Sequence, residues 1–155
     1  MKFKIAIVDT TFARVDMAKF ALEELGGNAD VEIVRSTVPG IKDLAVECSR
    51  LLKTADICIA LGWVGGAEID KQCGHEASLG IQMAKMKHDK HILEVFVFEF
   101  EGKNDFELQK IAENRSRKHA QNAYNMLANP SALKNNAGMG IRQGKEDAGP
   151  LKLER

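Results

Sequence analysis

The chain has 155 residues, 45% hydrophobic and 28% charged, which is enough to bury one core and reads as a single domain over residues 1–155. Its 22 basic residues balance 22 acidic ones, which argues against nucleic acid or an anionic membrane as the main partner. No apolar run approaches the roughly 20 residues of a membrane span and no signal peptide precedes the first strand, so a cytoplasmic protein is expected.

Ile5 to Val8 reads as a strand covered on both faces, because such strands show an unbroken apolar run. Asp9, Thr10 and Thr11 follow as turn and cap residues, and Met17, Phe20, Ala21 and Leu25 then recur at helical spacing. Gly26-Gly27-Asn28 ends that helix. Val31 to Thr37 approaches alternation and reads as a second strand, at an edge. After the breaker Val38-Pro39-Gly40, a helix is expected from Ile41 to Lys53, with Ile41, Leu44, Ala45, Cys48 and Leu52 on one side. Ile57 to Leu61 is a third strand of the buried kind. It runs into Gly62-Trp63-Val64-Gly65-Gly66, a glycine-rich loop too short and irregular for a phosphate-loop fingerprint. A third helix spans about Glu68 or Gln72 to Met86, a fourth strand His91 to Phe100, and a long fourth helix Asp105 to Leu127. Asn129-Pro130 breaks it, with room for a short helix, and a tail rich in glycine and charge begins at about Gly138.

The alternation of strands and helices implies a three-layer, flavodoxin-like α/β fold with a four-stranded parallel sheet. So small a sheet leaves two edges to cover, and self-association is expected. Cys48, Cys58 and Cys73 are odd in number and unpaired in spacing. They read as thiols of a reducing compartment rather than disulfides or metal ligands.

Loops after parallel strands gather at one end of the sheet, where ligands bind. They bring Thr10, Thr11, Phe12 and Arg14, then Pro39, Gly40, Lys42 and Asp43, then Gly62, Trp63, Gly65, Gly66 and Glu68. An aromatic platform with backbone donors and a few charges suits a flat polar heterocycle bearing hydroxyls. Phe12 reads equally as a hydrophobic staple of the first helix. His75 and Glu76 read as a solvated pair or as site groups. Glu94 interrupts the apolar run Ile92-Leu93 and Val95-Phe96-Val97, either as a charge guarding an edge or as part of a site. Arg115, Arg117, Lys118 and His119 form a basic face on the fourth helix.

Six motifs occur in one order over nearly the whole chain: Ile7-Val-Asp-Thr-Thr-Phe-Ala-Arg-Val-Asp-Met17, Thr37-Val-Pro-Gly-Ile-Lys-Asp-Leu44, Ala60-Leu-Gly62, Cys73-Gly-His-Glu-Ala-Ser-Leu-Gly80, His91-Ile-Leu-Glu-Val-Phe-Val97 and Gly140-Ile-Arg-Gln-Gly-Lys-Glu-Asp-Ala-Gly-Pro150. On these the chain resembles the archaeal type of riboflavin synthase, a family related in fold to lumazine synthase. The resemblance implies a homopentamer with sites between neighbouring subunits, each taking two lumazines. It implies a dismutation in which one 6,7-dimethyl-8-ribityllumazine gives a four-carbon unit to a second. The products are riboflavin and 5-amino-6-ribitylamino-2,4-pyrimidinedione. No cofactor is required, with magnesium at most an accessory ion.

The resemblance also assigns residues. Phe12 stacks on the heterocycle, with Thr10, Thr11, Arg14, Pro39, Gly40, Ile41, Lys42, Leu61, Gly62, Trp63, Glu68 and Val95 among the substrate-binding set. Asp43 takes the place of a glutamate that binds a ribityl hydroxyl in lumazine synthase, and Lys42 stands where that enzyme has a phenylalanine. Glu94 replaces a phenylalanine that reaches the neighbouring site, Arg115 aligns with a phosphate-holding arginine, and His119 with a lysine. Glu94, His75 and Glu76 are the candidates for proton transfer. Ile69 stands where lumazine synthase has its catalytic histidine, and the loop after the third strand is shorter, which disfavours a phosphorylated four-carbon substrate. Phe98 stands where the archaeal pattern has a histidine, so it is given no role. The alternatives are lumazine synthase itself and a non-catalytic flavin-binding module.

Overall fold

A computed structural model describes residues 1–153. Its strands are β1 (Phe3–Thr10), β2 (Val31–Val38), β3 (Ile57–Val64) and β4 (Ile92–Phe98), and its helices α1 (Met17–Leu25), α2 (Leu44–Leu51), α3 (Glu68–His88), α4 (Asp105–Ala128) and α5 (Pro130–Asn135). The strands form one four-stranded sheet in the order β2-β1-β3-β4, and every pairing is parallel. β1 and β3 are central and apolar on both faces. Ile5, Ile7, Ile59, Leu61 and Trp63 meet α1 and α4 on one side, while Ala6, Val8, Cys58 and Ala60 meet α2 and α3 on the other. The expected three-layer, flavodoxin-like fold is the observed one, with β2 at one edge and β4 at the other.

Local chemistry sets the boundaries. Asp16 caps α1 by accepting the Lys19 N–H at 3.1 Å, and Asn104 caps α4 by accepting that of Glu107 at 2.9 Å. Pro130, with its fixed φ and missing N–H, opens α5. Asp89 closes α3 in the left-handed region at φ 50°.

Four boundaries differ from the sequence expectation. Asp9 and Thr10 belong to β1 rather than to a turn, because the ladder with β2 continues to Thr10 and Val38. Asp9 is held there by Arg35 at 2.6 Å and by the Thr37 hydroxyl at 2.6 Å. Gly62, Trp63 and Val64 are strand rather than loop: they pair with Phe96, Val97 and Phe98 on β4. Gly62 is there because a Cβ would come within 2.7 Å of the Phe96 ring and 2.8 Å of Ile41 Cγ2. The helix expected from Ile41 is a 3-10 turn over Ile41–Asp43, and α2 begins at Leu44, the first fully buried residue. β4 stops at Phe98, where the Glu101 carboxylate accepts the Phe98 N–H at 3.0 Å and closes a second 3-10 turn.

The tail rich in glycine and charge folds into a loop against α4, held there by Asn114, Arg115 and Lys118. No helix among the described residues is long and apolar enough to cross a membrane.

Candidate functional site

The turn after β1, the 3-10 turn before α2, the end of β3 and the start of α3 enclose a cleft of about 210 Å³. Phe12, Gly40, Ile41, Lys42, Trp63 and Gly65 line it. Phe12 is 57% exposed, so its ring is not folded away as a staple and presents a free face. Its turn is fastened to the end of β2: Thr11 N–H donates to Val38 O at 2.9 Å, and Phe12 N–H to Pro39 O at 3.2 Å. The Thr11 hydroxyl donates to the same Pro39 oxygen at 3.2 Å. Thr10 lies beneath, buried, and its Oγ1 has no partner among the described residues.

Across the cleft, Lys42 pairs with Glu76 of α3, which also receives Gln72 Nε2–H at 3.1 Å. The Lys42 ammonium first, then Gln72, holds the Glu76 carboxyl below its usual range, so it stays ionised and poorly suited to take up a proton near neutrality. His75, the next residue along, is exposed on α3. Asp43 is exposed beside the mouth, and its carboxylate makes no cap bond to α2. Glu68 is exposed and paired with Lys71 at 2.8 Å. Leu61 is fully buried in the α1–α4 core, so its side chain is out of reach of the cleft.

Trp63 is only 2% exposed. Its indole N–H donates to Glu99 Oε1 at 3.0 Å, and Arg14 reaches the same carboxylate at 3.4 Å and Asp105 at 2.9 Å. Glu99 was not singled out in the sequence. It sits in an acidic stretch after β4 whose spacing gives no signal, and only the fold brings it to the β1–α1 turn.

The remaining candidates lie on β4 and α4, and none of them lines the cleft. Glu94 pairs in register with Ala60 in the middle of edge strand β4, and its Oε1 is buried with no partner among the described residues. Val95 is fully buried in the core. Arg115 is held in a two-pronged fork by Glu101, at 2.7 and 2.8 Å, and donates to Phe96 O at 2.8 Å. Burial alone would raise the Glu101 pKa. The Arg115 fork and the Phe98 N–H outweigh it and hold the carboxyl below its usual range. His119, one turn further along α4, is half-buried beside Arg115; burial, then that charge, lowers its pKa to about 4. It is therefore a neutral imidazole at pH 7, and its Nδ1 has no partner among the described residues.

Within one chain the candidates thus form two groups, one at the cleft and one at the open β4 edge. Among the described residues, no group of three or more His, Cys, Asp or Glu is placed to hold a metal ion.

A family model described as 6,7-dimethyl-8-ribityllumazine synthase matches residues 2–131. The chain is 50% identical over 151 residues to a riboflavin synthase of Methanothermobacter thermautotrophicus, covering 96% of this chain and 99% of that one. It is 48% identical over 151 residues to the riboflavin synthase of Methanothermobacter marburgensis, with the same coverage. With the riboflavin synthase of Archaeoglobus fulgidus it shares 43% over 150 residues, covering 96% of this chain and 98% of that one.

Proposed function

The chain belongs to the 6,7-dimethyl-8-ribityllumazine synthase family, and we propose that within it this protein is a riboflavin synthase acting at sites between subunits of a homopentamer. The observation that carries the reading is identity across nearly the whole chain to proteins named riboflavin synthase. The division of the candidates supports the shared site, since a cleft on one subunit and an edge strand on the next complete each other. α3 adds an exposed apolar stripe, with Leu79 at 53%, Met83 at 73% and Met86 at 83% exposure, which is surface of the kind another subunit covers.

In this reading Phe12 stacks on the pteridine ring of one lumazine, Asp43 accepts from its ribityl hydroxyls, and a second lumazine lies against the first. Holding two copies face to face turns a bimolecular encounter into an intramolecular one, worth about 7–11 kcal/mol at best. The 7-methyl group of one lumazine loses a proton, and its ring spreads the charge, so a modest base serves. Glu94 is the preferred group for that proton, because its buried Oε1 is unengaged whereas Glu76 is paired with Lys42. His75 is the other. The four-carbon unit then passes from one lumazine to the other, leaving riboflavin and the pyrimidinedione. No electrons are gained or lost overall, so the stoichiometry calls for no redox cofactor, and magnesium would be accessory.

The test is incubation of the purified protein with 6,7-dimethyl-8-ribityllumazine alone. Riboflavin and 5-amino-6-ribitylamino-2,4-pyrimidinedione should appear in equal amounts. The family description favours a second reading, lumazine synthase. That one predicts no product from lumazine alone, and lumazine formation from a butanone phosphate plus the pyrimidinedione.

A further inference from the structure

Cys48 of α2 and Cys58 of β3 are fully buried in the layer between the sheet and the α2–α3 pair, and catalysis makes no use of them. They are not isolated core thiols. The Cys58 S–H donates to Cys48 Sγ, with the two sulfurs 3.2 Å apart. A disulfide holds its sulfurs at about 2.05 Å, so side-chain rotations that bring them roughly 1 Å closer are enough to close one here.

The two cysteines sit on elements of unequal firmness. Cys58 pairs in register with Ala6 on one side and Ile92 on the other, inside the sheet. The approach to β3 is pinned as well. Lys90 donates to Leu52 O at 2.8 Å and to Ala55 O at 2.7 Å, and Asp56 accepts the Lys4 N–H at 2.8 Å. α2 is eight residues long and its buried residues are Leu44 and Cys48. Among the described residues Asp43 gives its N-terminus no side-chain cap, and Ser36 and His88 hold it from outside through Glu47 and Ser49. A short, uncapped helix with few buried residues opens ahead of the whole fold. Such an opening brings Cys48 to solvent and leaves Cys58 in place. The hydrogen bond to Cys48, then burial, pushes the Cys58 thiol well up, so Cys58 keeps its proton and Cys48 is the sulfur free to attack.

We propose that Cys48 and Cys58 form a redox latch, a resting dithiol that a hydroperoxide closes to a disulfide fastening α2 to β3. The Cys48 sulfur attacks the peroxide, the O–O bond breaks, and a sulfenic acid forms with loss of one water (or alcohol). Cys58 sulfur then attacks Cys48 sulfur. The S–O bond breaks, the Cys58 proton leaves with that oxygen as a second water, and the S–S bond forms. Two sulfurs are oxidised and one peroxide is reduced, and a dithiol reductant reverses the step. α2 follows directly on the turn that carries Ile41 and Lys42, and β3 runs on to Trp63 and Val64, so the bond ties two walls of the cleft together. The latch does not rest on the riboflavin synthase reading.

The experiment treats the full chain with hydrogen peroxide well below its unfolding temperature, then alkylates it in denaturant and digests it with trypsin. Arg50 and Lys53 lie between the two cysteines, so a Cys48–Cys58 bond joins two peptides into one mass that a reductant separates. That mass is expected, and the oxidised protein should unfold roughly 5–10 °C higher than the reduced one. Cys58→Ala should give no joined mass and no rise, and should leave a sulfenic acid at Cys48 that dimedone captures. If that variant does not fold, the joined mass and the unfolding temperature of the unaltered protein carry the test. Half-buried Cys73 is the internal control for exposure to oxidant. Unlinked Cys48 and Cys58 after treatment that oxidises Cys73 overturn the latch, as does a bond that forms only once the chain is unfolded. A joined mass without a rise in unfolding temperature overturns the fastening.

Discussion

Trp63 and Glu99 are joined by an indole N–H···Oε1 hydrogen bond of 3.0 Å, and through the same carboxylate Trp63 is tied to Arg14 in the turn that carries Phe12. Glu99→Ala should therefore loosen that turn and raise the KM for lumazine about tenfold, with Glu99→Gln retaining most of the affinity. Trp63 is the only tryptophan, so its emission should shift in Glu99→Ala and recover in Glu99→Gln. Unchanged emission and KM in both would remove Glu99 from the positioning of the site.

Phe12→Ala should weaken lumazine binding ten- to a hundredfold, the range expected from about 1–3 kcal/mol of ring stacking. Thermal stability should barely move, because the ring is 57% exposed. Phe12→Tyr should bind normally. Full affinity in Phe12→Ala, measured by fluorescence titration, would sink the stacking role.

The Arg115–Glu101 fork predicts a stability effect. The side chains are 11% and 17% exposed, so removing one partner strands a buried charge. Arg115→Ala should cost about 3–5 kcal/mol in denaturant unfolding and expose the tail to proteolysis. Because the Glu101 pKa is held low, the fork's contribution is present above the unfolded carboxyl pKa and lost as pH falls through the folded one. A loss within experimental error for Arg115→Ala would show that the fork is not a buried charge pair.

His119 should leave a signature in a different window. Its folded pKa of about 4 lies below the unfolded value of 6.5, so only the unfolded chain takes up this proton between the two. Its contribution, on the order of 2–3 kcal/mol, is complete above pH 6.5 and lost as pH falls towards 4. Urea unfolding across that range should be flatter for His119→Asn than for the unaltered protein. Identical slopes would mean the imidazole is not desolvated.

Met83→Lys, on the exposed apolar stripe of α3, should dissociate the assembly in sedimentation while leaving the circular dichroism of each chain intact. Riboflavin formation should fall with it, because the proposed site draws on two subunits. A dissociated protein with full turnover would place the whole site in one chain.

Strand and helix order were legible because Ile5–Val8 and Ile57–Leu61 are short unbroken apolar runs, too short for helices and followed by turn residues or glycine, while the segments between them carry the helical period. The misread stretches share one cause. Gly62 was taken for a turn glycine, but it is absent of side chain to admit Phe96 and Ile41, a contact between residues far apart in sequence. Asp9 looked like a cap and is strand, because Arg35 and Thr37 supply its partners from β2. The tail carries no periodicity to read, and Asn114, Arg115 and Lys118 fix it from α4 across 24 to 30 residues of sequence. At the site, Phe12, Ile41 and Lys42 do share a cleft. Glu99 and Glu101 escaped notice because a lone acidic residue carries no period, and its partner is chosen by the fold.

The close approach at Gly62 has a consequence for how the site can change. Ile41 lines the cleft and also presses, with Phe96, on the glycine of a central strand. A new ligand shape sought by enlarging Ile41 would be transmitted into the sheet and would surface first as a folding defect. Phe12, on an exposed turn fastened mainly through its backbone, can be varied without disturbing what lies below. New specificity in such a scaffold is therefore open from the rim and closed from the floor.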